Sequence, residues 1–329
     1  MKAIVQLGYG PPQRVLQLAG VDRPPVSDDD VLVRVKATSV NTPDWATVTG
    51  VPYLLRLKSG LRRPRTPVRG TDVAGVVEAV GPGVVDLSPG DEVFGSSWGA
   101  ESAASGTFAE FAVVPAAQLI TKPAGLTFEE AAGSVMCGLA ALTALRDVGD
   151  VGSGTRVLIN GASGGVGTFA VQIAKALGAE VTGVASTRNL ELLRSLGADH
   201  VIDYTAEDFT RSERRYDVVL DNVMNRPPSK TARLLAPGAV FIPNSIGNTG
   251  GLLGGLPRVM RAAVMGRLGP VNVRLVTVAV NRENLQDIAA LLESHIKPVV
   301  DEVYPLSRAA DAVAHMSGHH ARGKVGIAV

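Results

Sequence analysis

The chain has 329 residues, of which 46% are hydrophobic and 19% are charged, and its formal net charge is +1. This length exceeds the size at which one hydrophobic core usually keeps growing, so we expect a soluble globular protein of two domains. The charge balance argues against a nucleic-acid partner, and a single cysteine, Cys137, excludes an internal disulfide framework. The amino-terminal stretch lacks the apolar core of a signal peptide, so we expect a cytoplasmic location.

The first 120 residues predict a β-rich domain. Alternating or β-branched runs at 3–6, 31–37 and 75–80 predict strands, and glycine and proline pairs between the runs predict turns. Short strands with frequent turns are typical of a small barrel or sandwich.

After Pro123 the pattern changes to alternating strands and helices. Thr127 and Glu130 have the spacing of a capping box, which predicts the start of a helix that runs to about Leu145. The next predicted elements are a strand at 156–160, a helix at 165–177, a strand at 180–185, a helix at 190–196, and strands at 200–202, 217–220, 239–242 and 275–280. This alternation predicts a doubly wound parallel sheet with helices on both faces.

The end of the chain predicts two further helices and two strands. They lie at 283–292, 299–304, 308–316 and 324–328, in the order helix, strand, helix, strand. The uncharged stretch at 234–257 is long enough to cross a membrane, but it holds two prolines and six glycines before its last residue. We therefore expect a strand followed by a glycine-rich loop there, and no association with a membrane.

A glycine-rich turn between the predicted strand at 156–160 and the helix that follows carries the clearest functional signal. Gly161, Gly164 and Gly167 form the pattern G-x-x-G-x-x-G within a strand–helix–strand unit. Such a turn lets the backbone approach a pyrophosphate, whose charge the helix N-terminus stabilises. The predicted dinucleotide contacts are Gly161, Ser163, Gly164, Gly165, Val166 and Gly167.

The residues after the second strand of this unit indicate which dinucleotide binds. Units that prefer NAD place an acidic residue there, whereas this chain has Ser186, Thr187 and Arg188. Hydroxyl groups and a guanidinium suit a 2′-phosphate, so we predict NADPH. The alternative is an ordinary helix cap followed by a solvated arginine.

Several stretches together resemble the medium-chain dehydrogenase/reductase superfamily, in its zinc-free quinone oxidoreductase and enoyl reductase branch. They are 39–45, 70–81, 89–95, 161–167, 196–204 and 323–325. The resemblance covers essentially the whole chain. It implies an α/β fold in which a GroES-like β-barrel catalytic domain spans 1–122 and is completed by 282–329, and a Rossmann NADPH-binding domain spans 123–281. It also implies an active site in the cleft between the domains, and a homodimer.

The resemblance further implies that no catalytic zinc is present. Zinc-dependent relatives carry a cysteine where this chain has Asn41, and Gly-His-Glu where it has 70–72. Their third ligand falls near Cys137, which cannot form a three-ligand site alone. His315, His319 and His320 are better explained as a surface helix end than as a metal site, so we predict no metal.

Without zinc, hydride addition to an activated C=C bond is easier than alcohol oxidation. We therefore expect an NADPH-dependent oxidoreductase of enones, quinones or enoyl-type substrates. The candidate catalytic residues are Asn41, Asp44 and Tyr53. By resemblance to mitochondrial-type enoyl thioester reductases, Tyr53 is the candidate proton donor; the alternatives are a tyrosine that only packs and a proton delivered by solvent. By resemblance, the predicted cofactor contacts also include Asn41, Tyr204, Asn222 and Lys324.

Two alternatives to this function stay open from the sequence. One is a pathway-specific enoyl reductase acting on a polyketide or acyl thioester, and the other is a non-catalytic NADPH-binding protein. The basic run at 56–65 is either a solvated loop or a landing site for the phosphate of a carrier protein or coenzyme A. The segment 247–269, with a helix near 256–265, is expected to form a lid or a subunit contact.

Overall fold

The computed structural model describes residues 1–99, 106–245, 253–269, 271–318 and 321–329. The chain divides into two compact units. The first contains Met1–Leu139 and Ala279–Val329, and the second contains Ala140–Val278. We call them the β-rich unit and the nucleotide unit.

Short strands dominate the amino-terminal part of the β-rich unit, as predicted. The strands are β1 (Lys2–Gln6), β2 (Leu16–Gly20), β3 (Asp30–Ser39), β4 (Asp72–Val80), β5 (Glu92–Ser96), β6 (Phe111–Pro115) and β7 (Leu119–Thr121). The helices are α1 (Pro12–Val15), α2 (Thr42–Thr49), α3 (Arg56–Ser59) and α4 (Phe128–Leu142). Valine side chains of β3 and β4 pack into the core of this sheet together with Leu87 and Leu119.

The capping box predicted at the start of α4 is confirmed. The backbone N–H of Thr127 donates to the Glu130 carboxylate at 2.9 Å, and the N–H of Glu130 donates to the Thr127 hydroxyl at 3.2 Å. The helix continues as a π-helical segment, Thr143–Val148. The combined stretch is long and apolar enough to cross a membrane, but 67% of its most apolar window is buried inside the protein, as in the core helix of a soluble protein.

The nucleotide unit contains one parallel sheet. Its strands are β8 (Arg156–Asn160), β9 (Glu180–Ala185), β10 (His200–Asp203), β11 (Tyr216–Asp221), β12 (Leu235–Pro243) and β13 (Asn272–Val273). Its helices are α5 (Gly165–Ala176), α6 (Leu190–Ser195), α7 (Pro228–Thr231) and α8 (Leu256–Leu268). The strand order is β10-β9-β8-β11-β12-β13, with every pair parallel. The order reverses between β8 and β11, which is where such sheets bind their ligands.

The end of the chain returns to the β-rich unit with α9 (Arg282–Ser294), β14 (Val300–Pro305), α10 (Ala309–Ser317) and β15 (Lys324–Ala328). The larger sheet of this unit has the order β14-β15-β3-β4-β5-β7, and β6 pairs with β3. Strands β1 and β2 form a separate antiparallel pair. Single-turn 3₁₀ helices occur at Tyr53–Leu55, Ala116–Gln118, Thr187–Asn189, Phe209–Arg211, Ala232–Leu234 and Leu306–Arg308.

The prediction of a strand at 275–280 is wrong. The edge strand β13 has two residues, and the last backbone hydrogen bond on this edge runs from the Arg274 N–H to the Phe241 carbonyl at 3.0 Å. Further pairing would bring the chain alongside Pro243, which has no N–H to donate. Apolar alternation alone therefore did not produce a strand here.

The β-rich unit extends further along the chain than the predicted boundary at residue 122. It includes most of α4, because Gly133 and Cys137 of this helix lie against residues of β15 and of the loop after β3. The helix predicted at 256–265 is present as α8, whereas residues 247–252 of the segment 247–269 lie outside the described residues.

Candidate active site

Three strand ends place a polar cluster at one edge of the larger sheet. Strand β15 runs antiparallel to β3 with Gly326 opposite Ser39, so the start of β15 lies beside the residues that follow β3. On the other side of β3, the start of β4 lies opposite the carboxyl end of β3. There the Ser39 hydroxyl donates to the Asp72 carboxylate at 2.7 Å. We call Ser39, Asn41, Asp72, Cys137 and Lys324 the Asn41 cluster.

Asn41 lies at the centre of this cluster and is almost entirely buried. Its amide nitrogen donates to Asp72 Oδ2 at 2.7 Å and, at a long 3.4 Å, to the Thr71 hydroxyl. Its amide oxygen accepts from Lys324 Nζ at 2.6 Å, and the Cys137 thiol donates to it at 3.8 Å. The amide therefore connects a carboxylate to an ammonium group.

Both charged members of the cluster are buried. Lys324 is 3% exposed and Asp72 is fully buried. The Lys324 ammonium also donates to the Val40 carbonyl at 2.9 Å. Burial raises the pKa of Asp72, an effect that Lys324 and the hydrogen bonds from Asn41 and Ser39 oppose. Asp72 Oδ1 has no hydrogen-bond partner in the described part of the chain.

These residues do not fit a zinc ion. Zinc needs at least three His, Cys or carboxylate ligands, and the described residues contain no group of three that could hold a metal. Asn41 stands where the resemblance predicts that a zinc-binding cysteine has been replaced. Its side-chain oxygen faces the Lys324 ammonium group, which would repel a divalent cation. The third candidate position, Cys137, supplies a single thiol, which donates to the Asn41 oxygen.

Asp44, a predicted catalytic residue, caps the helix that follows Asn41. Its carboxylate accepts the backbone N–H of Asn41 at 2.8 Å and so closes a capping box at the start of α2. Burial raises the pKa of Asp44 to about 7, and the nearby Asp72 adds to this effect. The Asp44 side chain thus lies close to the Asn41 cluster, but its hydrogen bond is to the backbone.

Tyr53, the candidate proton donor, lies in a more open place. Its ring is 45% exposed and is covered by the Arg56 guanidinium, 4.4 Å from the ring centroid. Within the described residues, the Tyr53 hydroxyl makes no hydrogen bond, and no contact joins it to the Asn41 cluster. In the same basic run, Arg56 donates to the Gly50 and Thr49 carbonyls, whereas the remaining arginines, Arg62, Arg63 and Arg65, are exposed.

The glycine-rich turn has the geometry of a phosphate cradle. Gly161 directly follows β8 with φ +76°, a left-handed conformation that favours glycine. A Cβ atom at Gly167 would lie 2.2 Å from the Gly161 carbonyl oxygen, so only glycine fits there. Helix α5 begins at Gly165, and its first N–H groups have no partner within the helix. Phosphate oxygens are suitable acceptors for them.

The predicted 2′-phosphate residues lie together at the carboxyl ends of β9 and β10. Ser186 directly follows β9, and Tyr204 directly follows β10, which pairs with β9 in register at Asp203 and Ala185. Arg188 is exposed in the 3₁₀ turn after Ser186.

Two residues that the sequence analysis missed shape this edge. The Asn189 amide donates to the Ser163 hydroxyl at 3.0 Å and to the Ser186 hydroxyl at 3.3 Å, and thereby joins the glycine-rich turn to the end of β9. The Asp203 carboxylate accepts a hydrogen bond from the Thr187 hydroxyl at 2.5 Å. The hydroxyl proton of Thr187 is therefore already bound within the protein. No acid follows β9, where NAD-binding units carry one, whereas Asp203 is the last residue of the neighbouring strand β10.

Asn222 lies on the other side of the strand-order reversal, directly after β11. Its oxygen accepts from Asn244 at 2.8 Å, whereas its amide nitrogen is buried without a hydrogen-bond partner among the described residues. The Asn189 oxygen is likewise buried and unpaired there. Two unsatisfied groups at the carboxyl edge of the sheet fit a bound dinucleotide, which would supply polar partners.

The structure separates the predicted residues into two sets. Asn41, Asp44 and Lys324 lie together in the β-rich unit, and the glycine-rich turn, Ser186–Arg188, Tyr204 and Asn222 lie at one edge of the nucleotide unit. His315 makes hydrogen-bond or ionic contacts with Tyr304, Asp301 and Glu302, while His319 and His320 lie outside the described residues.

Comparison with known proteins identifies the family. The profile described as "Alcohol dehydrogenase GroES-like domain" matches residues 27–124, and that described as "Zinc-binding dehydrogenase" matches residues 196–326. The chain is 33% identical over 347 residues to the chloroplastic quinone-oxidoreductase QR1 of Triphysaria versicolor, covering 99% of this chain and 97% of that protein. The chain belongs to the medium-chain dehydrogenase/reductase superfamily.

Other members of the superfamily agree with this placement. The chloroplastic NADPH-dependent alkenal/one oxidoreductase of Arabidopsis thaliana is 33% identical over 335 residues, covering 99% of this chain and 78% of that protein. The solved structure of the quinone oxidoreductase from Coxiella burnetii is 28% identical, with a TM-score of 0.86 over 100% of this chain and 99% of that chain. The GroES-like and Rossmann-type domains are confirmed, and this superfamily member is an NAD(P)H oxidoreductase.

Proposed function

We propose that the enzyme transfers hydride from NADPH to an activated C=C bond or a quinone, without zinc. The Asn41 cluster carries this proposal, because a buried amide is held there between a carboxylate and an ammonium group. By the family resemblance, zinc-dependent relatives have a ligand at this position. The profile named for zinc binding matches 196–326, which includes none of Asn41, Asp72 and Cys137. The similarity to an alkenal/one oxidoreductase and to quinone oxidoreductases supports the substrate class.

The nucleotide unit has the groups needed to hold NADPH, which supplies the hydride. The N–H groups of the glycine-rich turn bind the pyrophosphate, and the helix dipole of α5 stabilises its charge. Ser186, Arg188 and Tyr204 bind the 2′-phosphate, and Asn222 donates its unpaired amide hydrogen to the cofactor.

The β-rich unit supplies the groups that act on the substrate. Hydride addition to an enone or quinone leaves negative charge on the carbonyl oxygen, and a fixed hydrogen-bond donor stabilises that charge. Asn41 is this donor, or it binds the nicotinamide ribose. The proton that completes the reduction comes from Tyr53, whose ring is partly exposed, or from water.

An enoyl thioester is the second candidate substrate, and the exposed arginines of the basic run favour it. Arg62, Arg63 and Arg65 are exposed, and no ion pair occupies them in the described part of the chain. Exposed guanidinium groups without an ion-pair partner can bind the phosphates of coenzyme A or of a carrier protein.

The experiment is steady-state oxidation of NADPH and NADH with a panel of acceptors. It compares 1,4-benzoquinone, 9,10-phenanthrenequinone, 2-alkenals and crotonyl-coenzyme A. We expect turnover with NADPH and with a quinone or alkenal. Tight NADPH binding without turnover of any acceptor would contradict the proposed reaction.

Arg188→Ala tests the choice of cofactor. Loss of a charge-assisted contact to the 2′-phosphate should raise the Kd for NADPH by roughly 10-fold or more and leave that for NADH nearly unchanged. Titration of cofactor fluorescence measures both constants. Arg194→Ala is the matched control, because Arg194 is an exposed arginine of α6 that pairs with Glu191. Equal losses for both cofactors would contradict the 2′-phosphate assignment.

A homodimer and a cytoplasmic location are part of the proposal. A row of exposed apolar side chains on α8 supports the dimer: Met260, Val264 and Leu268 are spaced four residues apart and are 58%, 53% and 82% exposed.

A further inference from the structure

Two buried charges in the Asn41 cluster contact opposite ends of one amide group. Lys324 Nζ lies 2.6 Å from Asn41 Oδ1, and Asp72 Oδ2 lies 2.7 Å from Asn41 Nδ2. The carboxylate and the ammonium group form no direct salt bridge in the described structure. The amide supplies one hydrogen bond to each of these buried groups; Asp72 accepts another from Ser39, and Lys324 donates another to the Val40 carbonyl.

The two contacts fix the orientation of the Asn41 amide. A flipped amide would turn its NH₂ group toward the ammonium of Lys324 and its oxygen toward the carboxylate of Asp72. Both arrangements are repulsive, and burial strengthens the repulsion. Only one rotamer of the amide is therefore compatible with these two partners.

The fixed orientation determines what Asn41 can offer to a ligand. Its oxygen already accepts from Lys324 and is approached by the Cys137 thiol. Its nitrogen carries two hydrogens, of which one is used by Asp72 and the other has only a 3.4 Å contact with the Thr71 hydroxyl. The remaining capacity of Asn41 is thus one hydrogen to donate.

We infer that Lys324 is a positioning residue that fixes Asn41 as a hydrogen-bond donor to an oxygen of the bound substrate or cofactor. The inference rests on the proposed function, in which Asn41 contacts one of these ligands. It assigns the polarity of that contact: the ligand presents an acceptor, such as a carbonyl or ribose oxygen. It also gives Lys324 a role within the β-rich unit in place of a direct contact with the cofactor.

A double-mutant cycle tests the inference. The variants are Lys324→Met, Asn41→Ala and their combination, each assayed for kcat/KM with the best acceptor, for NADPH Kd by fluorescence, and for Tm. Each single change should lower kcat/KM, or raise the NADPH Kd, by roughly 10- to 100-fold. The combination should be no worse than Asn41→Ala, because Lys324 acts through Asn41. A change confined to kcat/KM identifies the acceptor as a substrate oxygen, and a change in Kd identifies it as a cofactor oxygen.

Lys122→Met is the matched control. Lys122 is also a buried lysine of the β-rich unit, and its ammonium donates to the Pro123 and Leu126 carbonyls and pairs with Glu92. This variant should lower Tm without changing kcat/KM or the Kd. Should Lys324→Met fail to fold because Asp72 loses its counter-charge, Lys324→Met with Asp72→Asn removes both charges and should reproduce the loss seen in Asn41→Ala.

Three results would overturn the inference. The first is additive losses in the double mutant, and the second is a Lys324→Met variant that behaves like Lys122→Met. The third is an Asn41→Ala variant with unchanged kcat/KM and unchanged NADPH Kd, which would leave the proposed reaction standing without Asn41. Failure of the wild-type enzyme to turn over any acceptor would instead contradict the proposed function.

Discussion

Asp44 shows how a single buried carboxylate can make stability depend on pH. The side chain is needed where it is, because it caps the backbone of Asn41. Burial nevertheless disfavours its charged form and raises its pKa to about 7 in the folded protein, from 3.8 for an exposed aspartate. The folded state therefore holds this proton more tightly than the unfolded state does.

The sign of the resulting pH dependence follows from linkage. A raised pKa contributes stability that is fully present below about pH 4 and is lost as the pH rises to about 7. For Asp44 this loss is at most about 4 kcal/mol. We predict that Asp44→Asn, whose amide oxygen can still cap Asn41, removes this contribution. The difference in free energy of unfolding between the variant and the wild type should therefore change steadily between pH 4 and 7 in urea titrations.

Asp217→Asn provides the control for this measurement. A hydrogen bond from Arg156 lowers the pKa of Asp217, so this group stays ionised over the same range. The Asp217→Asn and wild-type stability curves should run parallel between pH 5 and 7. Parallel curves for Asp44→Asn as well would mean that Asp44 titrates normally.

At the scale of elements, the strand–turn–helix at β8 and α5 depends on a close backbone contact. The loop closes because Gly167, in the first turn of α5, lies against the Gly161 carbonyl. A methyl group at Gly167 must push the helix start away from the turn, which moves the phosphate-binding N–H groups.

We predict that Gly167→Ala lowers the free energy of unfolding by about 1–3 kcal/mol, the usual cost of overpacking, and weakens NADPH binding more than 10-fold. Gly152→Ala is the control, because a Cβ there meets nothing within 4 Å. Thermal denaturation and cofactor fluorescence measure the two effects. Normal NADPH affinity in Gly167→Ala would argue against phosphate binding at this turn.

At the scale of the whole molecule, the absence of a catalytic metal is the most general prediction. The chain has one cysteine, Cys137, and its thiol donates to the Asn41 side-chain oxygen. We expect protein dialysed against 1,10-phenanthroline and EDTA to keep its NADPH-dependent activity and to contain no stoichiometric zinc by elemental analysis. Loss of activity that zinc restores would contradict the proposed mechanism. Tm measured before and after dialysis controls for unfolding by the chelators.

Local sequence patterns predicted most elements of the fold. Backbone propensity, capping and glycine geometry act over a few residues, so the strands at 156–160, 180–185 and 324–328 were predicted with their observed ends. The prediction of a strand at 275–280 was wrong, because local patterns do not show whether a neighbouring strand can pair with it. A strand at a sheet edge forms only where its neighbour can continue the hydrogen-bond ladder, and that neighbour is distant in sequence.

The sequence by itself determined the glycine-rich turn and the two-domain α/β fold, because both depend on residue types at fixed short spacings. The family resemblance, which also comes from the sequence, implied which residues stand where zinc-dependent relatives have ligands. Only the tertiary structure decided what surrounds Asn41. Lys324 reaches it because β15 pairs with β3, and Asp72 reaches it because β4 pairs with the other side of β3. Strand register brings together residues that are far apart along the chain. No local pattern therefore revealed that Lys324 and Asp72 both hydrogen-bond to the Asn41 amide.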